Sequence, residues 1–207
     1  MSKQPTSTGN LAFSCECGEV RGEVIDAGPT NGDHLACHCI DCRDFVQYLD
    51  AEDRILTPLG GTALYNGPCA NMRLSAGKEH LACLHLTDKP TLRWYAKCCR
   101  TPLFNTFATN RLPFFDLLTA NAPQEQVCET LGPVNRHLFI HRATGDTTGM
   151  KPLFTVGLLR IVVPRMLKDI LSGDRRRSEL FNADTLQPIA EPYRLTEADR
   201  ASLVRAR

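Results

Sequence analysis

Three thiols within one short stretch, Cys37-His38-Cys39-Ile40-Asp41-Cys42, constrain this chain more than any other feature. Cys15-Glu16-Cys17-Gly18 lies upstream and Cys98-Cys99 downstream, so seven of the ten cysteines fall in three small clusters. Thiolates are ligands for soft or borderline metals, and zinc takes four of them tetrahedrally. The clusters therefore predict one or two zinc ions per chain, with Cys15, Cys17, Cys98, Cys99, Cys37, Cys39 and Cys42 as the candidate ligands. A closed four-thiolate site would be structural. Three thiolates in a Cys-x-Cys-x-x-Cys spacing leave the open fourth position of a catalytic zinc. Cys39-Ile40-Asp41-Cys42 is formally a redox motif, but it lacks the βαβ setting such motifs need.

A chain of 207 residues is one domain, or one domain with an appendage, and can bury a core without disulfides. Its net charge of +1 gives no electrostatic case for nucleic acid. No run approaches the roughly 20 apolar residues that span a bilayer. Residues 1–10 are polar, without an apolar signal core, and read as a disordered lead. A cytoplasmic setting is expected, where thiols stay reduced and free for metal.

Short apolar runs separated by Gly, Pro, Asn and Asp turns recur from Leu11 to about residue 142 and predict a mainly β fold. Phe45, Val46 and Leu49 follow Cys42 at helical spacing, which predicts a helix over 41–50. Apolar residues from Leu153 to Leu171 predict a long amphipathic helix, kinked or interrupted at Pro164 and stopped at Gly173. A last helix over 197–205 would start at Thr196. The division expected is a zinc-binding β domain at 11–145 and a helical extension at 150–207. The 153–172 stripe would dock on the β domain or join two copies of the chain in a homo-oligomer.

Among other residues, His38 could tune a thiolate, while His137 and His141 read as incidental. Cys83 and Trp94 read as core. Arg43, Arg93, Lys97 and Arg100 lie near the clusters and could hold an anionic thiol, but each reads first as a solvated surface charge.

Taken in order, the clusters resemble a known family. Cys15-Glu16-Cys17-Gly18-Glu19-Val20, Cys37-His38-Cys39-Ile40-Asp41-Cys42 and Trp94-Tyr95-Ala96-Lys97-Cys98-Cys99-Arg100-Thr101-Pro102-Leu103 look like the motifs of the glutathione-dependent formaldehyde-activating (GFA) family, in a divergent bacterial branch. The resemblance spans about residues 11–120. It implies a β-tent fold with two zincs. One would be structural, held by Cys15, Cys17 and Cys99; the other, on Cys37, Cys39 and Cys42, would meet the thiol of glutathione. The implied activity is carbon–sulfur lyase-like handling of a small thiol adduct. The late motif departs from the family's Cys-x-x-Cys-Gly: Ala96 stands at the first cysteine, Arg100 at the glycine, and Cys98 is extra. Either the chain turns so that Cys98 joins the structural site, or Cys98 completes the central triplet and closes it. A non-catalytic zinc protein whose helical tail binds a partner, and a thiol-based metal or redox sensor, are the alternatives.

Overall fold

The computed structural model describes Pro5 and residues 8–205. Most of the lead expected at 1–10 lies outside the described residues, and Gly9 already opens a strand. Three strands form a small antiparallel sheet in the order β1 (Gly9–Ser14), β2 (Arg21–Ala27), β5 (Met72–Ala76). The large sheet contains β3 (Asp33–Cys37), β4 (Thr62–Asn66), β6 (Leu81–His85), β7 (Thr91–Ala96), β8 (Thr101–Phe107) and β9 (Phe115–Leu118). It is completed by β10 (Arg136–Leu138), β11 (Pro152–Leu153) and β12 (Pro192–Arg194), and its order is β11-β10-β3-β4-β9-β8-β7-β6-β12. The helices are α1 (Ile40–Tyr48), α2 (Glu52–Ile55), α3 (Gln124–Thr130), α4 (Thr155–Ser172) and α5 (Glu197–Arg205).

The fold is mainly β, in two sheets, as the turn-punctuated pattern predicts. Both faces of the large sheet are covered, so β3, β8 and β9 are buried at nearly every position rather than at alternate ones. One face packs on the small sheet. There Phe13 of β1 meets Phe104 of β8 edge-on, with ring centroids 5.1 Å apart, and Trp94 is fully buried with its Nε1–H donated to Thr106 Oγ1 at 2.8 Å. On the other face Leu35, Leu64, Leu84 and Leu118 pack with Phe45 and Val46 of α1 and Leu203 of α5.

The segment from 150 on is helical in α4 and α5, and it is also woven into the β core. β11 and β12 extend the large sheet by parallel pairing with β10 and β6. Between them Leu180, Phe181 and Leu186 are buried, and Phe181 stacks edge-on against Trp94 at 6.0 Å. α4 runs through Pro164 as one helix rather than stopping there, and it ends at Gly173, whose φ of 81° is the left-handed exit expected of a C-terminal glycine. Thr196 caps α5 as expected: its Oγ1 accepts from the Asp199 N–H at 3.1 Å, and Asp199 Oδ2 accepts the Thr196 N–H at 2.9 Å. α3 was not expected. Its seven residues bury only Val127, too little for an apolar period to show.

A buried histidine is expected to make the fold pH-sensitive. His34 on β3 donates Nδ1–H to the Gly132 carbonyl at 2.7 Å, so Nε2 faces Thr119 Oγ1 as the acceptor, at 3.5 Å. Burial holds its pKa below the ordinary histidine value, against the raising effect of the Gly132 bond. A depressed histidine leaves stability intact at neutral pH and loses it as pH falls through the unfolded-state value toward the folded one. Denaturation midpoints should therefore fall below about pH 6.5. A His34→Gln variant should flatten that slope; an unchanged slope would show that His34 is not its source.

Candidate metal centres

The late cysteines form a site with the first pair because the chain turns at residues 97–100. Adjacent side chains on a strand point to opposite faces. Here β7 has ended at Ala96, and Arg100 takes a φ of 57°, so Cys98 and Cys99 converge. The extra cysteine therefore joins Cys15, Cys17 and Cys99 and not the central triplet. On the opposing turn, Gly18 has a φ of 76°, its N–H donates to the Cys15 carbonyl at 3.0 Å, and the Val20 N–H donates to Cys15 Sγ at 3.2 Å. Two such turns facing one another aim four sulfurs inward.

Their spacing suits one metal ion. Sγ–Sγ distances are 3.5 Å for Cys15–Cys17, 3.9 Å for Cys15–Cys98, 3.4 Å for Cys17–Cys98 and 3.8 Å for Cys98–Cys99. Metal–sulfur bonds of about 2.3 Å give a tetrahedron with edges of about 3.8 Å. The four thiols thus sit close to a tetrahedral ligand set, and the site is closed. Against its burial, bonds from Thr101 Oγ1 and from the Cys17 backbone and thiol bring Cys99 down to about 6. Burial, then the neighbouring thiols, push Cys98 up. Arg100 reaches back to α1: it donates to the Tyr48 carbonyl and pairs with Asp50 at 3.4 Å.

The central triplet is built differently. Cys37 closes β3, Cys39 is the N-cap of α1, and Cys42 lies in its first turn. The Cys42 N–H donates to Cys39 Sγ at 3.3 Å, so Cys39 acts as the helix cap. The three sulfurs lie within 4.8 Å of one another, with Cys37 and Cys42 buried and Cys39 half-buried. Bonds from the Cys37 and Cys39 thiols, followed by the charge of Arg93, hold Cys42 well below the ordinary thiol range despite its burial. The triplet lines a cavity of about 340 Å³ together with Arg93, Asn105 and Asp116 and with Phe107, Phe114 and Phe139. Leu158 of α4 also lines it. Three converging thiols facing a cavity are the donor set of an open metal site.

Arg93 is not the solvated charge expected of it. It is 6% exposed, donates Nη1–H to Cys42 Sγ at 3.5 Å and to Asn105 Oδ1 at 2.8 Å, and sits 5.8 Å from the centroid of the Phe45 ring. The other cations near the clusters serve elsewhere. Arg43 ties Gly60 and Arg142 carbonyls together, and Lys97 lies beside a surface cleft with Lys78 and Glu79. His38 turns away from the thiols it sits between: its Nε2 pairs with His137 Nδ1 at 3.1 Å. Cys83 and Trp94 are core, as expected.

Arg93 belongs to a row that the sequence reading missed. Cross-strand pairing aligns Asp33, Asn66, Asp116, Asn105 and Arg93 across β3, β4, β9, β8 and β7. Neighbours across a sheet share a face. The only signal in the sequence is a polar residue interrupting each apolar run, as in Tyr65-Asn66, Phe104-Asn105 and Phe115-Asp116-Leu117.

Fold and sites together define a mainly β protein with two cysteine clusters, one closed and one open to a cavity, each able to hold a metal ion. The chain belongs to the family described as "Family of unknown function (DUF6151)", whose pattern it matches over residues 8–192. No curated protein matches it. Among solved structures, a crystal structure of a Rhodobacter sphaeroides protein from structural genomics is similar at 17% identity and a TM-score of 0.40. The match covers 58% of this chain and 97% of that one.

Proposed function

We propose that the chain is a zinc protein of the GFA type, with a β-tent fold, one zinc in each cysteine cluster, and carbon–sulfur lyase-like handling of a small glutathione-type adduct in a reducing, cytoplasmic setting. The observation that carries this reading is the division of labour between the clusters: Cys98 completes the first, which frees the central triplet to face a 340 Å³ cavity. A zinc held there would keep a substrate thiol deprotonated at neutral pH. The chain's own residues supply the rest. Three cysteinates build up negative charge, and the buried Arg93 guanidinium offsets it. Lys89, anchored by Asp41, places a second cation in the cavity lining, where an anionic substrate would be drawn. Phe107, Phe114 and Phe139 present apolar walls that limit water around the reacting carbon.

Protein purified under reducing conditions should carry two zincs per chain. With cobalt in their place, added glutathione should change the thiolate-to-metal absorption of one site and leave the other unaltered. A glutathione-insensitive spectrum would remove the proposal.

A second reading keeps both metals structural and gives the function to α4. Val156, Leu159, Val163, Leu167 and Leu171 form an exposed stripe, from 40% exposure at Val163 to 87% at Leu171. Contiguous apolar surface of this kind marks interaction sites, and here it would join two copies of the chain. That reading makes a Leu159→Glu, Leu167→Glu variant monomeric by sedimentation where the wild type is dimeric; a monomeric wild type rules it out. Among the described residues, no helix is long and apolar enough to cross a membrane.

A further inference from the structure

The buried polar row has a carboxyl group at its centre that forms no ion pair among the described residues. Asp116 is 7% exposed and lines the cavity that the central thiols face. Its Oδ1 accepts from Asn66 Nδ2 at 2.9 Å. On its other side stands Asn105, whose Oδ1 is taken by Arg93, so its amide N–H₂ is the group that bonds the carboxylate. The cations nearest along the row are each one amide removed and already engaged, and Lys89 in the cavity wall is paired with Asp41. Arg93 is committed to Cys42 and Asn105, and Arg165 to Asp33 at 2.6 Å. A buried carboxylate without a cation of its own is costly, and the two amide donors beside it offset that cost only in part.

We propose that Asp116 is the proton acceptor and donor of the central centre, taking the proton from an incoming thiol and returning it to the oxygen of the carbonyl partner. The inference rests on the function proposed above and assigns the proton in it. The steps balance. The thiol R–SH gives its proton to the Asp116 carboxylate and binds as R–S⁻. The sulfur lone pair then forms the carbon–sulfur bond, the carbonyl π pair moves to oxygen, and Asp116–COOH protonates that oxygen. The product is the hydroxyalkyl thioether, and the carboxylate is regenerated. In reverse, the carboxylate removes the hydroxyl proton, the carbonyl re-forms and the carbon–sulfur bond breaks.

The surroundings suit this role. Burial raises the carboxyl to about 7, with the Asn66 bond opposing it, so both protonation states are reachable near neutrality. The charged groups around it are Cys42 and Arg93 on the thiol side, Lys89 with Asp41 in the cavity wall, and Asp33 with Arg165 behind Asn66. A thiolate arriving in the cavity adds negative charge beside the carboxylate and strengthens its hold on the proton.

The test counts protons. Glutathione is titrated by calorimetry into the metal-loaded protein near pH 8, in buffers of different ionisation enthalpy. Asp116→Asn keeps the acceptor for Asn66 and cannot take a proton. It should bind glutathione yet release about one proton more per thiol than the wild type. With a carbonyl partner present, its adduct formation should slow by about 10²-fold or more. Equal proton release would overturn the inference while leaving the proposed function standing. Wild type that binds no glutathione would overturn that function and the inference with it. Should the variant fail to fold, the wild type alone decides. Its infrared difference spectrum should gain a protonated-carboxyl band when glutathione binds, and no such band would exclude Asp116.

Discussion

Cys98→Ser is expected to remove one metal ion per chain and to cost more stability than the loss of an exposed thiol outside the clusters. The four thiols of that site come from two turns, one joining β1 to β2 in the small sheet and one joining β7 to β8 in the large sheet. A metal there ties the two sheets at one corner, where exposed Cys17 and Cys98 bury little apolar surface to do the same. Structural zinc contributes on the order of 10 kcal/mol to small domains, comparable to the whole stability of an ordinary one. Loss of one ligand should lower the melting temperature by about 10 °C or more, and chelation should lower it further. Cys128→Ser is the control, since Cys128 is exposed on α3 and outside both clusters. If Cys98→Ser keeps full metal content and an unchanged melting temperature, the closed site is not a metal site.

Arg93→Met should empty or weaken the central site and leave the closed one loaded. Among the described residues the guanidinium is the buried cation that touches the thiols, and it also satisfies Asn105 Oδ1. Methionine roughly preserves the apolar stem but leaves the thiolate charge uncompensated and an amide oxygen unpartnered. Removing one partner of a buried charged pair costs about 3–5 kcal/mol, and outer-sphere partners of metal ligands commonly change affinity by roughly 10–100-fold. Competition with a chelator should show two phases in the wild type. In Arg93→Met the weaker phase should move to lower chelator concentration and the tighter one should stay. Coincident movement of both phases would mean that the variant disturbs the fold and not the site.

The three cysteine clusters, the short strands and the helices at 41–50, 153–172 and 197–205 were legible in the sequence, because each rests on local rules. Thiol spacing, turn residues between apolar runs and helical periodicity all act over a few neighbouring positions. The pairing of Cys98 was not legible. Adjacent thiols reach one ion only if the backbone leaves the extended conformation between them, and whether Arg100 adopts a left-handed φ is decided by what it then contacts, the end of α1. How the segment after residue 150 docks was not legible either, because its change in composition is only a local cue. Leu180, Phe181 and β12 join the core through partners about a hundred residues away.

The sequence by itself determined that this chain carries two groups of thiols able to bind metal and a mainly β body to hold them. Only the tertiary structure decided that one group is closed and the other faces a cavity, and that Arg93 and Asp116 serve that cavity. The reason is physical. Strand register, set by the packing of whole sheets, aligns five polar residues from five strands into one row, and no local rule in any one strand records which residues its neighbours will present.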